Sequence, residues 1–177
     1  MQLTTGKLTV PHTNIEEVGD MTRERSSAFE DFYRRERTPL VRSLALGLGD
    51  ASLAEEAVDE AMSRAYQRWN KVGGYDNPSG WVYRVARNWA TSRLRRRRFR
   101  SSSPLPETPV DDAHRDHELH AQLAELSDTT RQAVVLRHLL SWTQEEIALA
   151  LDIPTGTVKS RINRGLEQLR ANSEVLR

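Results

Sequence analysis

PSGWVYRVARNWATSRLRRRRFR, residues 78–100, decides how the chain folds, because it predicts one helix with two different faces. At about 100° per residue, one apolar set of side chains falls within an arc of about 140°, as on a helix packed against a core. This set is Trp81, Val82, Val85, Ala86 and Trp89. A polar set lies on the opposite side: Arg84, Arg87, Asn88, Thr91, Arg95 and Arg98. One face is therefore predicted to be buried and the other to be available to an anionic partner.

Positive charge is concentrated in and around this helix. Residues 76–100 contain eight arginines and one acid, Asp76, whereas the whole chain has 26 basic and 25 acidic residues and a net charge of +1. A basic helix face is usually just solvated, but such segregation inside a nearly neutral chain is typical of nucleic-acid surfaces. The charge pattern favours nucleic acid over a solvated face.

Composition limits the class of protein. With 177 residues, of which 37% are hydrophobic, the chain favours small helical modules joined by polar linkers over one large globule. It has no cysteine, which excludes disulfides and thiolate zinc sites. No apolar run approaches the roughly 18 residues of a membrane span, and the N-terminus lacks the order of a signal peptide. We therefore expect a cytoplasmic protein without a membrane span.

The first hundred residues predict an extension followed by a helical domain. Residues 1–25 show neither helical nor strand periodicity and are predicted to be a mobile N-terminal extension. Apolar residues then recur at helical steps with Pro39 as an interruption, so one helix or a kinked pair is expected. A second helix follows, with Asp50 or Ser52 as its N-cap. With the arginine-rich helix, these elements predict a domain over residues 26–100.

Composition changes sharply after the arginine-rich helix. Residues 101–117, SSSPLPETPVDDAHRDH, hold three prolines and three serines and predict a flexible linker. Seven acids between residues 107 and 128 make this part of the chain strongly acidic. One hypothesis is that this acidic segment takes the place of nucleic acid near a basic surface. His114, His117 and His120 are spaced by three, but without cysteine or a partner motif they indicate a solvated helix start and not a metal site.

A helix-turn-helix is predicted by residues 141–170, SWTQEEIALALDIPTGTVKSRINRGLEQLR. Thr143 and Glu146 form a capping box before the first helix, and a turn at residues 152–154 ends it. Thr155 is expected to cap the second helix, which presents Lys159, Ser160, Asn163 and Arg164 outward. In this motif the second helix enters the major groove, where Arg or Lys pairs with guanine and Asn with adenine. The alternative is two helices packed together without DNA.

Together these parts resemble a bacterial sigma factor of the extracytoplasmic-function (ECF) group, the short members of the sigma-70 family. Residues 53–69 resemble the family's region 2.2, residues 78–98 its regions 2.3 and 2.4, and residues 126–170 its region 4, most specifically at GTVKSR. Pattern and resemblance predict an all-α fold of two small helical domains joined by the flexible linker. These are a three-to-four-helix region 2 over residues 26–100 and a helix-turn-helix region 4 over residues 118–177.

The resemblance implies three binding surfaces. The strand of the promoter's −10 element would be held by Tyr75, Asp76, Asn77, Arg84, Arg87, Asn88 and Arg95. The −35 duplex would be bound by Thr157, Lys159, Ser160, Arg161, Asn163 and Arg164. Core RNA polymerase, through the clamp and flap of its largest subunits, would be a partner of the helix carrying Glu56, Asp59, Glu60 and Arg64. Promoter DNA and core polymerase are thus the implied partners, with an anti-sigma factor as a further candidate.

Departures from the family pattern leave the promoter sequence open. Ser92 stands where many members have Asp, Ala61 and Met62 replace a common Thr-Phe pair, and Asn163 replaces larger residues. No residues form an acid/base, nucleophilic or metal-binding constellation, so neither enzymatic activity nor a cofactor is expected. Two alternatives stay open. One is a stand-alone helix-turn-helix transcription regulator, which would need a dimerisation surface, and the other is a helical protein that sequesters a sigma factor.

Overall fold

The computed structural model describes the backbone of residues 15–100 and 115–175, and the side chains of residues 23–97 and 119–172. Every regular element within these ranges is a helix, which confirms the predicted all-α fold. The helices are α1 (Ile15–Leu48), α2 (Ala51–Gln67), α3 (Trp69–Val72), α4 (Pro78–Arg100), α5 (Arg115–Ala124), α6 (Asp128–Leu139), α7 (Gln144–Leu151) and α8 (Thr155–Val175). Of the predicted linker, residues 101–114 lie outside the described residues and the last three belong to α5.

Helix α1 begins earlier than the sequence pattern predicts. Residues 15–25, predicted to be part of a mobile extension, are helical, and residues 1–14 lie outside the described part of the chain. The difference has a simple cause. Glu, Met and Arg favour helix by intrinsic propensity even where no apolar period marks a buried face, and the prediction relied on that period. The side chain of Arg25 also reaches Asn70, to which its Nη1 donates at 3.5 Å.

Pro39 lies inside one continuous helix, so the kinked pair that the sequence left open is not formed. Leu40 and Leu44 are both fully buried and hold the turns after the proline on the core. Their burial offsets the backbone hydrogen bond that a proline removes. The helix ends at Leu48, and Gly49 reverses the chain with φ of 73°, a conformation that would strain a residue with a Cβ.

The first domain consists of α1, α2 and α4, with the short α3 between α2 and the loop before α4. Asp50 is the N-cap of α2, because its carboxylate accepts a hydrogen bond from the Leu53 amide at 2.8 Å. Small side chains line the buried side of α2: Ala54, Ala57, Ala61 and Ala65. They let the backbones of α1 and α4 approach closely, which fixes the position of α4 in the domain.

The second domain is built on α6, α7 and α8, and α5 packs on α8. The predicted capping box is present at α7: the Thr143 hydroxyl accepts the Glu146 amide at 3.2 Å, and the Glu146 carboxylate accepts the Thr143 amide at 2.8 Å. Helix α8 starts with Thr155 as its first residue, so the prediction of Thr155 as its cap is wrong by one position. The carbonyl of Pro154 accepts the Val158 amide at 3.1 Å and thereby begins the helix.

Glycine is required where α8 crosses α6. A Cβ at Gly165 would lie 2.6 Å from Cγ2 of Val134 and 2.9 Å from Cγ2 of Thr130, both on α6. Real Cβ atoms do not approach other heavy atoms so closely. The absence of a side chain therefore sets the spacing of the two helices and, with it, the direction in which α8 points.

The two domains also pack against each other, with α1 on α6 and α4 on α7. At this contact Tyr83 is fully buried, and its ring lies edge-on to Trp142 at 5.8 Å between centroids. The predicted core face of α4 is therefore corrected in part. Trp81, Val85 and Trp89 are only half-buried, whereas the fully buried residues are Val82, Tyr83, Ala86 and Ala90. Helix α4 packs on the first domain with one side and on α7 of the second domain with another. A helical pattern that assumes one buried face does not predict the second contact.

Candidate nucleic-acid interface

A row of arginines runs along α4 as predicted. Arg84 and Arg95 are exposed, Arg87 is half-buried, and Asn88 lies exposed between them. Arg96 and Arg97 follow Arg95 in the chain and are also exposed, on other sides of the helix, while the side chain of Arg98 lies outside the described residues. Thr91 does not add a free donor, because its hydroxyl donates to the Arg87 carbonyl at 2.8 Å. The described part of this face is thus a continuous cationic ridge.

The loop before α4 places its polar side chains at the start of this ridge. Tyr75 and Asp76 are exposed. Asn77 is held more firmly, because its Oδ1 accepts the Gly80 amide at 2.7 Å and so caps the first turn of α4 ahead of Pro78. Asn77 therefore has a structural role that the sequence analysis did not assign, beside its predicted contact with DNA.

A cleft of about 580 Å³ separates this loop from the second domain. Its walls are the loop residues from Gly74 to Asn77, the first turns of α4, and the α7 side chains Glu145, Glu146 and Leu149. Leu149 is the most exposed of the large apolar residues in the described part, at 70%. The cleft therefore opens between the predicted −10 surface and the helix-turn-helix.

Three side chains of the predicted −10 surface contact the second domain directly. The Nδ2 of Asn77 donates to Glu146 Oε1 at 2.9 Å, and the Nε of Arg87 donates to Gln132 Oε1 at 2.7 Å. A guanidinium nitrogen of Arg84 lies 3.5 Å from a carboxylate oxygen of Asp152. Gln132 and Asp152 were not predicted to be functional, and no sequence signal marks them, since each contact joins residues far apart in the chain.

The second helix of the helix-turn-helix presents its polar side chains as predicted. Lys159, Ser160, Asn163 and Arg164 are exposed, and Thr157 and Arg161 are half-buried at the edges of that face. Val158 and Ile162 anchor the opposite face of α8 in the core. Ser160 is turned towards its own helix, because its hydroxyl donates to the Thr157 carbonyl at 3.0 Å. The exposed side chains of Lys159, Asn163 and Arg164 are therefore the ones on this surface that can reach base edges or phosphates.

The acidic side of α2 carries the four residues predicted to meet core polymerase. Arg37 of α1 donates to both carboxylate oxygens of Asp59, at 2.7 and 2.8 Å, and this hydrogen bond raises the pKa of Arg37 above its usual value. Arg64 is paired with Glu60 at 2.7 Å along the helix. Arg93 of α4 lies 3.3 Å from Glu56. Glu56, Asp59 and Arg64 are exposed and Glu60 is half-buried, so all four lie on one accessible side of the helix.

Arg93 is a further residue that the sequence analysis did not single out. Its guanidinium lies 5.0 Å from the ring centroid of Trp89 on its own helix, in addition to its ion pair with Glu56. It therefore ties the charged side of α2 to the arginine ridge of α4. The link joins the acidic side of α2 to the second half of α4.

The residues that the structure describes contain no group of three or more side chains placed to hold a metal ion. Within the same residues, no helix is long and apolar enough to cross a membrane.

Comparison with known proteins gives two family matches and several relatives. Residues 32–100 match the model of Sigma-70 region 2, and residues 116–169 match the model of Sigma-70 region 4. The chain is 34% identical over 148 residues to the RNA polymerase sigma-E factor of Streptomyces coelicolor, covering 80% of this chain and 84% of that protein. It is 34% identical over 139 residues to the ECF RNA polymerase sigma factor SigL of Mycobacterium tuberculosis, covering 72% of this chain and 78% of that protein.

Two solved structures share the fold. The sigma factor RpoE of Bartonella quintana, solved with the anti-sigma factor NepR, superposes with a TM-score of 0.69 and 20% identity, over 89% of this chain and 99% of that one. CnrH, solved with the cytosolic domain of CnrY, superposes with a TM-score of 0.60 and 19% identity, over 85% of this chain and 95% of that one. At these identities the likeness concerns the arrangement of helices alone.

Proposed function

The chain belongs to the ECF group of the sigma-70 family, and from this premise we propose how its two domains divide the work of promoter recognition. It is a non-enzymatic initiation factor that directs RNA polymerase to promoters and begins transcription. The first domain holds the opened −10 strand and the core polymerase, and the second holds the −35 element as duplex. The observation that carries this division is the presence of two separate cationic surfaces, one on α4 and one on α8.

The −10 strand is held by the loop before α4 and by the arginine ridge. Arg84, Arg87, Asn88 and Arg95 supply donors along one helix face, and Tyr75 and Asp76 lie at its start. Exposed aromatic rings stack on unpaired bases, and guanidinium groups neutralise phosphates. Asn77 caps α4 through its Oδ1 and keeps its Nδ2 as a donor, so it fixes the loop and contributes one polar contact.

The −35 duplex is bound by the N-terminal half of α8. Lys159 and Arg164 are suited to guanine edges or phosphates, and Asn163 to adenine. Thr157, Ser160 and Arg161 lie beside them and position α8 against the sugar-phosphate backbone of the DNA. This assignment follows the helix-turn-helix geometry, in which residues near the start of the second helix reach the base edges.

Core polymerase docks on the acidic side of α2, formed by Glu56, Asp59, Glu60 and Arg64. The ion pairs with Arg37 and Arg93 orient two of these carboxylates, so the surface is already ordered before the polymerase arrives. The polymerase flap then receives the second domain. Since transcription takes place in the cytoplasm of bacteria, the protein works there.

Strand opening sets the energetic demand on these surfaces. Stacking is worth about 1.4 kcal/mol per base-pair step, so opening several pairs requires several kcal/mol, more than one contact supplies. Capture of unpaired bases, neutralisation by the arginine ridge and contacts with the polymerase must act together. The protein alone is therefore expected to bind promoters weakly, and the holoenzyme to open them.

An anti-sigma factor is a further proposed partner. Both structural neighbours were solved with such a protein or with a partner's cytosolic domain. The cleft between the −10 loop and α7, with its exposed Leu149, is the part of the described surface where an inserted helix would cover both DNA-binding domains at once.

Run-off transcription on fragmented genomic DNA from the source organism tests the proposal. Core polymerase is assayed with and without the protein, and then with the Arg84→Ala/Arg87→Ala double variant. New discrete start sites should need both core and protein and should weaken in the double variant. The matched control is Arg34→Ala/Arg35→Ala, which removes two exposed arginines from α1 and none from the ridge.

Start sites that persist at full strength in the Arg84/Arg87 variant would show that the −10 strand is held elsewhere. If no start sites appear with core while the protein alone shifts a specific duplex, the stand-alone regulator is the better account.

A further inference from the structure

Helix α8 contains two glycines, and the packing of the chain explains one of them. Gly165 lies where α8 crosses α6, and a Cβ there would overlap Val134. Gly156 lies exposed in the first turn of α8. Among the described residues, apart from its chain neighbours and the backbone of its own helix, no heavy atom lies within 4 Å of the position that a Cβ would take there. Packing therefore does not require glycine at residue 156.

The backbone conformation of Gly156 does not require glycine either. Within the described part of the chain, the glycine with a positive φ is Gly49, whereas Gly156 has the helical conformation that residues with a Cβ adopt. Glycine also destabilises a helix relative to alanine, because it loses more conformational freedom on folding. The second domain is therefore less stable than it would be with alanine at this position, and no contact within the described chain compensates for the difference.

Gly156 lies in the middle of the face that α8 presents for DNA. At about 100° per residue, it falls about 20° from Asn163 and about 40° from Ser160 around the helix axis. Val158, which is fully buried and anchors α8 in the core, lies on the opposite side. A side chain at residue 156 would therefore point towards whatever this face contacts.

The middle of this face carries little bulk near the start of α8. Gly156 has no side chain, and the hydroxyl of Ser160 is turned back onto the helix, where it donates to the Thr157 carbonyl at 3.0 Å. The long side chains of Lys159 and Arg164 are exposed at the two edges of the face. A surface that meets α8 here can approach its backbone closely between the two cations.

The depth to which a helix enters the major groove depends on the side chains at the front of that helix. The groove is about 12 Å wide and about 8.5 Å deep, and an α-helix with its side chains is about 10–12 Å across. The fit leaves little space, so the absence of one side chain at the front lets the backbone come closer to the base edges. Lys159 and Arg164 can reach phosphates from a shallow position, whereas the short side chain of Asn163 reaches a base only from a deep one.

We infer that Gly156 sets the depth at which α8 enters the major groove, and that it is thereby a specificity-determining residue for the −35 element. The inference rests on the proposed function of α8 as the −35 contact. The duplex supplies the close neighbour that the chain itself does not place at this glycine. Contacts with base edges, above all that of Asn163, depend on this depth, while phosphate contacts through long cationic side chains do not.

Gly156→Ala and Gly156→Leu test the inference, because they add a methyl group and then a branched side chain at the front of the face. Ala171→Leu is the matched control. Ala171 is also exposed on α8, but about 22 Å further along the helix at 1.5 Å per residue, beyond the part that enters the groove. Each full-length variant is assembled with core polymerase and tested on a promoter fragment that the run-off assay identifies.

The first readout is the affinity of the holoenzyme for this fragment, measured by fluorescence anisotropy. It should fall about tenfold in Gly156→Ala and about a hundredfold in Gly156→Leu, the range expected for the loss of base-edge contacts, and stay unchanged in Ala171→Leu. Affinity for a duplex of unrelated sequence should change less than twofold in all three variants, because it depends on phosphate contacts.

The second readout is the combination of Gly156→Ala with Asn163→Ala. If the alanine at residue 156 already withdraws Asn163 from its base, the double variant should bind the promoter about as tightly as Gly156→Ala alone. Full additivity of the two losses would show that Gly156 acts independently of Asn163 and would contradict control of depth.

Thermal unfolding distinguishes this role from a structural one. Gly156→Ala should raise the midpoint of unfolding by about 2 °C, since alanine favours the helix, although the same variant binds the promoter more weakly. A glycine required for the fold would instead lower both the midpoint and the affinity when it is replaced.

Unchanged promoter affinity in Gly156→Leu would overturn the inference, and so would equal losses on the promoter and on the unrelated duplex. Neither result affects the proposed function, because the start sites that the natural protein produces with core polymerase do not depend on it. The absence of any start site with the natural protein would contradict the proposed function itself.

Discussion

The Nε of Arg87 on α4 donates a 2.7 Å hydrogen bond to the Oε1 of Gln132 on α6, and so joins the predicted −10 surface to the helix-turn-helix domain. Arg87 is half-buried as a result, whereas Arg84 and Arg95 on the same face are exposed. The sequence pattern places all three arginines on a free polar face. In the structure at least Arg87 is already engaged by the second domain, so this face is less free than the pattern indicates.

Gly165→Ala should destabilise the second domain by about 1–3 kcal/mol, because the new Cβ would overlap Cγ2 of Val134 and force α8 away from α6. Thermal unfolding followed by circular dichroism measures the effect. Gly156→Ala is the matched control on the same helix, since a Cβ there meets nothing within 4 Å. Equal stabilities of the two variants would contradict the close crossing of α6 and α8.

Tyr83→Phe should leave the protein as stable as before or more stable by about 1 kcal/mol. The Tyr83 hydroxyl is buried without a hydrogen-bond partner in the described part of the chain, and burial raises the pKa of this phenol. Removing the hydroxyl thus removes a desolvated polar group while the ring keeps its contact with Trp142. Urea unfolding of this variant, beside Tyr66→Phe at an exposed position, gives the comparison. A clear loss of stability would mean that the hydroxyl is paired in solution.

The Arg37–Asp59 pair should show a coupling energy of about 1 kcal/mol in a double-mutant cycle with alanine. Both side chains are partly exposed, at 29% and 49%, which keeps the coupling modest in spite of the two hydrogen bonds. The Arg64–Glu60 pair along α2 should show only about 0.3–0.5 kcal/mol. A cycle that gives the larger value for the helical pair would contradict the importance of the bidentate geometry.

Lys159→Ala and Asn163→Ala should affect promoter binding by the holoenzyme in different ways. If Lys159 contacts a phosphate, its removal lowers the salt slope of the binding constant by about one unit and weakens all promoters alike. Removing Asn163 should leave the salt slope unchanged and relax the preference at one base pair. Fluorescence anisotropy across a range of salt concentrations separates the two effects, and identical slopes for both variants would contradict the assignment of Lys159 to a phosphate.

Local signals in the sequence predicted much of the fold. The capping box of Thr143 and Glu146, the N-cap at Asp50 and the outward face of α8 all depend on residues a few positions apart, where helix periodicity and hydrogen-bonding chemistry are sufficient. The arginine ridge of α4 was predicted for the same reason. The family match supports the functional interpretation of α4 and α8.

Contacts between distant residues were not predictable from the pattern. Arg87 and Gln132 are 45 residues apart, and Asn77 and Glu146 are 69 apart, so no period relates them. Tyr83 belongs to neither the apolar nor the polar set predicted for α4, and its burial depends on the second domain. One carboxylate oxygen of Glu146 completes the capping box, as the sequence predicts. The other accepts a hydrogen bond from Asn77, which the sequence does not predict.

Permanganate oxidation of unpaired thymines in a promoter bound by the holoenzyme tests the division of work between the domains most directly. With the natural protein, thymines in the −10 element should become reactive while the −35 duplex is protected from nuclease. With Arg84→Ala/Arg87→Ala, the −35 protection should remain and the −10 reactivity should be lost. Undiminished −10 reactivity in that variant would contradict the account, because strand capture would then not depend on the ridge of α4.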